Sequence, residues 1–281
     1  MVTDRDRTDT SAGGEGKPLF RQPVHVHLRQ QEDVYALYAA PLPLYLCADV
    51  LHEYLQGRYL LLLSFSNKQM LARPNQSLAQ WLRRQKLQAH SIRSSFALVP
   101  AQHVQDIARL TQTYLIFTDT PFSPDQLAQM DIEPLVTDTF SAPTWYTVLH
   151  HEIDNRLYWE SREDRVSHLL CRERELLQEV LSRFLRAYLQ FHQPDLPAVD
   201  DFPPLIHEQL WQYAGQGLAP GKVTSTSDGI NLQVALGTPD RSVCVLAQSC
   251  PPVTQVGRGF ILRWRNGGWE ICSTEEFSDA P

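Results

Sequence analysis

Two adjacent histidines lie among carboxylates in the stretch TWYTVLHHEIDNRLYWESRED, residues 144–164. Histidine and carboxylate side chains bind divalent metals and transfer protons, so this stretch is the first candidate for a catalytic centre. If it is helical, His150 and Asp154 lie one turn apart on the same face and could act together. A catalytic zinc site needs three protein ligands, and this pair supplies two. We therefore assign no catalytic residue and no metal ligand, and keep a metal-dependent enzyme centred on His150 and Asp154 as our second alternative.

A β-hairpin is the favoured interpretation of the same stretch. Neighbouring side chains of a strand point to opposite faces, so His150 and His151 would not chelate one ion together. Asp154 and Asn155 are typical turn residues, and residues 156–161 would form the returning strand. The sequence does not decide between the hairpin and the helix.

The absence of glycine excludes several enzyme classes. No glycine occurs between Gly57 and Gly215. The dinucleotide-binding fingerprint, the P-loop and the nucleophile elbow all need glycines where the backbone turns sharply or approaches a phosphate. We therefore expect no cofactor. Asp119, at the end of the predicted strand YLIFT, lies where α/β domains place ligands, and a turn or helix-capping role is the alternative.

The charge distribution carries the functional prediction. Residues 54–105, the acid-free segment, contain no aspartate or glutamate and carry +7, whereas the whole chain carries −7. We predict a non-catalytic regulatory or adaptor protein that uses this segment to bind an acidic macromolecular partner or a phosphate-bearing ligand. The first alternative is nucleic-acid binding through Arg83, Arg84 and Lys86, without base-specific readout. The predicted basic patch consists of Arg73, Arg83, Arg84, Lys86 and Arg93.

Alternating apolar runs and helical periods predict an α/β domain over residues 33–193, with a mixed or mostly parallel sheet and covering helices. The run RYLLLLSF, residues 58–65, is typical of a strand buried on both faces. A helix is expected from an N-cap at Ser77 through Gln88. The first 20 residues are polar, and we expect a disordered tail there.

A second, small antiparallel β domain is expected over residues 205–277, after a proline- and aspartate-rich linker at residues 194–204. Residues 230–236, 242–248, 259–265 and 269–273 have the character of strands. An Asn-Gly turn at residue 266 predicts that the last two form a hairpin.

A long amphipathic helix is predicted from about Asp164 to Gln190, because apolar residues recur at steps of three and four. Packing within its own domain is one interpretation of this stripe, and a homodimer seam is the sharper alternative. The dimer candidates are Leu169, Leu176, Leu177, Val180, Phe184 and Tyr188.

The remaining features concern location and partners. No run of eighteen apolar residues occurs, so no transmembrane helix and no membrane partner are expected. The five cysteines are dispersed, which indicates reduced thiols and a cytoplasmic location. We expect a protein partner, which the sequence does not identify.

Overall fold

The computed structural model describes residues 24–40, 42–63, 77–93, 96–110, 115–135, 148–161, 167–194, 202–227, 229–237 and 259–273. These residues form a single sheet of twelve strands in the order β12-β11-β10-β9-β1-β2-β8-β7-β6-β3-β5-β4. Every neighbouring pair is antiparallel. The predicted fold class, α/β with a mixed or mostly parallel sheet, is therefore wrong.

The elements are numbered in chain order. The strands are β1 His25–Gln31, β2 Val34–Ala40, β3 Tyr59–Leu63, β4 His90–Arg93, β5 Phe96–Pro100, β6 Leu115–Thr120, β7 Leu157–Ser161, β8 Ser167–Cys171, β9 Leu218–Thr226, β10 Gly229–Leu236, β11 Gly259–Arg265 and β12 Gly268–Ser273. The α-helices are α1 Ala48–Tyr54, α2 Leu78–Arg84, α3 Val104–Leu110, α4 Pro124–Leu127, α5 Arg174–His192 and α6 Pro204–Ala214.

Strand β3 shows why the direction of the sheet was mispredicted. Its continuous apolar run is buried on both faces, as expected from the sequence. Its neighbours β5 and β6 nevertheless both run antiparallel to it. Burial on two faces demands apolar residues at every position, whatever the direction of the neighbouring strands. The apolar run therefore indicates that both faces of β3 are buried, and it gives no information on the direction of the neighbouring strands.

The predicted helix from Asp164 is also corrected at its beginning. Residues Ser167–Cys171 form β8, which pairs with β2 and β7, and helix α5 begins only at Arg174. Leu169 and Leu170 continue the helical spacing of the apolar residues that follow, but they lie in a strand that is buried on both faces. Only from Leu176 onward do the apolar residues at helical spacing lie in a helix.

The sheet has two differently covered parts. In β2, β3, β5, β6, β7 and β8, which we call the covered half, one apolar cluster lies on each face. Helices α1, α2, α3, α5 and α6 pack on one face. The other face is covered by Leu127 of α4, Ile132, Leu135, Val148, Leu149 and Ile153. In β9 to β12, the open half, only the helix-facing side chains are buried, and those of β10 to β12 on the opposite face are half-buried or exposed.

Strand β1 joins the two halves. It pairs with β2 along its whole length, but with β9 at the single position Val26–Leu218. The helix-side apolar cluster includes residues from both predicted domains, among them Leu177 and Leu262. The sheet thus continues across the predicted linker, and a boundary between independently folding units stays a prediction. The predicted N-terminal tail and the strand at 242–248 lie outside the described residues.

Candidate functional site

Helix α2 carries the central part of the predicted basic patch, and its beginning is well defined by the sequence. The Ser77 hydroxyl accepts a hydrogen bond from the Gln80 N–H at 3.3 Å. The Gln80 side chain accepts one from the Ser77 N–H at 3.2 Å, which completes a capping box. Trp81 and Leu82 are buried against the sheet side of the helix. The prediction of Ser77 as N-cap is confirmed.

The other end of α2 differs from the prediction. The helix ends at Arg84, with Gln85 as C-cap, and does not extend to Gln88. The Lys86 N–H donates to the Arg83 carbonyl at 3.0 Å, and the Leu87 N–H donates to the Leu82 carbonyl at 3.1 Å. These two bonds define a Schellman motif, in which the residue after the C-cap adopts a left-handed conformation and is usually glycine. Here that residue is Lys86, with a φ of 64°.

Three cations are exposed together at this helix end: Arg83, Arg84 and Lys86. The Arg83 Nε donates to the Ala89 carbonyl at 2.7 Å, which fixes the position of its guanidinium group. Within the described ranges, no carboxylate forms an ion pair with Arg83 or Lys86. Positive side chains are favourable at a helix C-terminus, which is a sufficient structural reason for one or two of them. We call this cluster the α2 cation group.

The other predicted patch residues do not join this group. Arg93 forms an ion pair with Glu133, so its charge is already compensated. Arg58, from the same acid-free segment, is buried. Arg73 lies outside the described residues. The acid-free segment therefore contributes one compact group of three cations to the described surface, and not a continuous basic stripe.

Asp119 is buried, and it is held by the chain itself. One carboxylate oxygen accepts a hydrogen bond from the Arg58 Nε, and the other accepts the N–H groups of Arg156 and Leu157 at 2.9 and 2.7 Å. Burial raises the pKa of Asp119 above its ordinary value, while Arg58 and the two N–H groups oppose that shift. With its hydrogen-bonding capacity engaged internally, Asp119 attaches the segment before β7 to β3 and β6.

Neighbouring polar residues of β6 hold the same segment. The Thr118 hydroxyl donates to the Leu157 carbonyl at 2.7 Å, and the Thr120 hydroxyl donates to the Ile153 carbonyl at 2.8 Å. The buried Asn155 side chain donates to the Thr118 oxygen and to the Val148 carbonyl, each at 2.8 Å. This network gives a structural explanation for the polar residues that interrupt the apolar pattern of β6.

His150 and Asp154, the candidates for a metal-dependent enzyme, engage different partners. The Asp154 carbonyl accepts a hydrogen bond from Arg58 at 2.5 Å. The His150 Nε2 lies 4.0 Å from an Asp33 carboxylate oxygen. The structure also corrects the hairpin interpretation, since β7 pairs with β6 and β8 and residues 148–149 form a short helical turn. Trp145 lies outside the described residues.

Among the described residues, one donor set could hold a metal: Glu32, Asp33 and His150, whose ligand atoms lie within 4.8 Å of one another. Arg172 already occupies this cluster, with its guanidinium 3.3 Å from Asp33 and 3.1 Å from the His150 Nδ1. Because Arg172 can only donate, Nδ1 accepts and a neutral His150 carries its proton on Nε2. A metal at Nε2 would displace that proton and compete with Arg172 for Asp33. The cluster therefore fits an ion-pair contact between the β1–β2 turn and the segment before β7 better than a metal site.

The predicted dimer residues all face the interior of the chain. Leu169 lies in β8, the other five lie on α5, and all six belong to the helix-side apolar cluster. The Tyr188 hydroxyl donates to the Gly221 carbonyl at 2.8 Å, which connects α5 to β9. These side chains offer no exposed seam, so the homodimer stays a prediction that needs another surface.

Three free cysteines lie among the described residues, and two of them are buried. Cys47 and Cys171 are buried and free of disulfides. Burial raises the pKa of the Cys47 thiol far above its ordinary value and that of Cys171 to about 12. A neutral buried thiol is a poor nucleophile, so neither Cys47 nor Cys171 is suited to nucleophilic chemistry.

A shallow depression lies on the open half, with a volume of about 230 Å³. Thr226, Asn231, Arg263 and Arg265 contribute polar lining. The Arg263 guanidinium is engaged by Asn231 at 3.0 Å and by Glu270 at 3.3 Å. Ligand pockets usually measure about 300 to 1,000 Å³ and are more enclosed, so we assign no small-molecule ligand to this depression.

The sequence identified the three residues of the α2 cation group but not the left-handed backbone conformation of Lys86. The signal was present, since Leu82 and Leu87 have the spacing of the apolar pair in a Schellman motif. The lack of a glycine there concealed it. Comparison with protein-family models, with curated proteins and with solved structures finds no match to this chain. No helix among the described residues is long and apolar enough to cross a membrane.

Proposed function

We propose that this chain is a non-catalytic regulatory or adaptor protein that binds an acidic surface of a partner protein through the α2 cation group. The observation that carries the proposal is the conformation of Lys86. A side chain other than glycine in the left-handed region costs about 1 to 2 kcal/mol. Such strain clusters at functional sites. Lys86 adopts this strained conformation beside two exposed arginines, which indicates that the positive charge at position 86 has a function.

The size of the group favours a protein partner over nucleic acid. Proteins that bind duplex DNA through its backbone typically contact about 6 to 10 phosphates. The α2 cation group contains three positive charges, and the whole chain is negative. Three cations at a helix end match a short run of carboxylates on a folded surface or peptide. Nucleic acid is therefore the competing partner in the test.

The buried free thiols Cys47 and Cys171 support a cytoplasmic location as part of this proposal.

Fluorescence anisotropy with a labelled polyglutamate peptide and, separately, with a labelled DNA duplex tests the proposal. The variant is Arg84→Glu/Lys86→Glu, which leaves the bond from Arg83 to Ala89 in place. We expect the polyglutamate affinity to fall about tenfold, because two attractive charge pairs become repulsive, each contributing about 0.2 to 1 kcal/mol. Raised salt should weaken the wild-type complex.

The matched control is Arg109→Glu/Lys222→Glu, which makes the same change in net charge at two exposed residues on α3 and β9. It should bind polyglutamate within about twofold of the wild type, because the contacts of the α2 cation group are intact. If both variants lost the same affinity for polyglutamate, binding would depend on net charge alone, and the proposal would be overturned. Binding that is tighter to the duplex than to polyglutamate, and lost in the α2 variant, would favour the nucleic-acid alternative.

A further inference from the structure

The two outer strands of the sheet, β4 and β12, differ in how well they are protected from pairing with a strand of another chain. Strand β4 has four residues, its register with β5 is irregular between Ser91 and Arg93, and it carries an exposed arginine. Short length, irregular pairing and charge are the features that prevent an outer strand from pairing with another chain. Strand β12 has six residues, and all six pair with β11 in an unbroken register. Its single charged residue is Glu270.

We propose that β12 pairs antiparallel with β12 of a second copy of this chain, so that two sheets join into one. No strand of the described residues lies on the outer side of β12. Its outward N–H and C=O groups are therefore a template for a further strand. An identical strand satisfies them in a closed, two-fold arrangement that ends after two copies.

The two-fold axis and the side-chain alternation restrict the register. An axis perpendicular to the sheet keeps the helix-covered face of one copy continuous with that of the other, so only residues on the same face can lie opposite each other. Two central positions give substantial overlap, namely Glu270 and Ile271. A register centred on Glu270 places two carboxylates directly opposite each other, which is destabilising. The register centred on Ile271 avoids this, since Glu270 then faces Cys272 of the other copy.

The helix-side surface of β12 favours the same register. Ile271 and Trp269 are half-buried and pack at the margin of the helix-side apolar cluster. Trp269 contacts Phe202 edge-to-face, with ring centroids 4.8 Å apart. Placing Ile271 against its symmetry mate continues this apolar surface across the axis. On the opposite face, Arg263 remains beside Glu270, at 3.3 Å, so the interface contains no uncompensated carboxylate.

Sedimentation equilibrium tests the proposal, and we expect a species of twice the 32.2 kDa mass of the chain. Ile271→Lys places two ammonium groups opposite each other and should restore the monomer. The matched control, Ile92→Lys, makes the same change at a half-buried isoleucine of the opposite outer strand and should remain dimeric. A monomeric wild type at micromolar concentration, or equal loss of the dimer in both variants, would overturn the proposal.

A cross-linking experiment keeps the proposal testable if Ile271→Lys does not fold. Residues directly opposite each other in antiparallel strands have Cα atoms about 4.5 to 5.5 Å apart, within disulfide range. Ile271→Cys/Cys272→Ser should therefore form a covalent dimer on mild oxidation. The wild-type Cys272 should not, because its mate lies diagonally about 7 to 8 Å away. Efficient cross-linking through Cys272, with none through position 271, would exclude the Ile271-centred register.

Discussion

The covered half and the open half of the sheet solve the same packing problem in different ways. In the covered half, strands such as β3 and β6 are buried on both faces. Polar residues are tolerated there when they are fully engaged, as Asp119 is by Arg58 and two N–H groups. In the open half, apolar and polar residues alternate, and only one face is covered. Polar contacts on the uncovered face, such as Arg263 with Glu270, remain accessible to water.

Stability and interaction surface are therefore divided between two parts of one continuous sheet. The covered half has no sheet face left for a partner, and its candidate site lies on helix α2, beyond the sheet itself. Among the described residues, nothing covers the second face of the open half, and no strand pairs with the outer side of β12. A strand buried on two faces contributes more to stability, since burial scales with the apolar area removed from water.

The largest expected effect comes from the buried ion pair. Asp119→Asn should lower the free energy of unfolding by about 3 to 5 kcal/mol, because it leaves the buried Arg58 without its counter-charge. Glu270→Gln removes one partner of the half-exposed pair in the open half, and should cost less than about 1 kcal/mol. Urea denaturation measures both values. Similar losses in the two variants would contradict the assigned difference between the halves.

Alanine substitutions at neighbouring positions test the covering of each face. In β3, Leu61→Ala and Leu62→Ala should each cost about 2 to 5 kcal/mol, because these side chains are buried on opposite faces. In β11, Leu262→Ala should cost a similar amount, whereas Ile261→Ala should cost less than about 1 kcal/mol. A large loss at Ile261 would mean that the second face of the open half is covered as well.

The pH dependence of stability reports on β1, where the two halves meet. The buried His25 Nε2 lies 3.2 Å from the Gly237 carbonyl, and the His25 and His27 rings are 6.5 Å apart. Burial, with Arg29 and His25 nearby, lowers the pKa of His27 from 6.5 to about 4. The unfolded chain therefore binds this proton at a higher pH than the folded protein. The contribution of His27 is complete above pH 6.5 and is lost as the pH falls toward 4.

His27→Gln should accordingly make stability less dependent on pH within this window. Urea midpoints of the wild type and the variant, measured at several values between pH 4 and pH 7, give the difference, in which the carboxylate titrations common to both proteins cancel. If the two curves stay parallel throughout, His27 does not titrate as assigned.

Local patterns predicted local structure well. Ser77 and Gln80 have the spacing of a capping box, and the turn at Asn266 and Gly267 joins β11 to β12 as expected. These features depend on residues a few positions apart. Strand direction and the pairing of Arg58 with Asp119, 61 residues away, depend on how the chain returns to itself, which no local pattern records. The stretch around Leu169 was mispredicted because a fully buried strand has no period of its own.

The candidate site was predictable only in part, because the positions of its charged residues are local but their contacts are not. Composition alone located Arg83, Arg84 and Lys86. Whether each cation is exposed, paired or buried depends on tertiary contacts. Arg93 of the predicted patch is paired with Glu133, and Arg58 of the same acid-free segment is buried against Asp119. The strained backbone of Lys86 arises from the helix termination around it, where the usual glycine is missing.

The smallest effect bears most directly on function, and it comes from Lys86→Gly. Glycine relieves about 1 to 2 kcal/mol of backbone strain and adds about 0.5 to 1 kcal/mol of unfolded-state freedom, so stability should rise by about 0.5 to 1 kcal/mol. Glu32→Gly is the matched control, because Glu32 has a similar φ of 55° and lies on the β1–β2 turn. It should gain similar stability without loss of binding.

The decisive measurement is the affinity of Lys86→Gly for the polyglutamate peptide, determined alongside its free energy of unfolding. If the α2 cation group binds an acidic partner, the variant is more stable than the wild type and binds about two- to fivefold more weakly, as expected for the loss of one exposed charge pair. A variant that gains stability and binds polyglutamate as tightly as the wild type would contradict the account, because the strain at Lys86 would then serve no binding function.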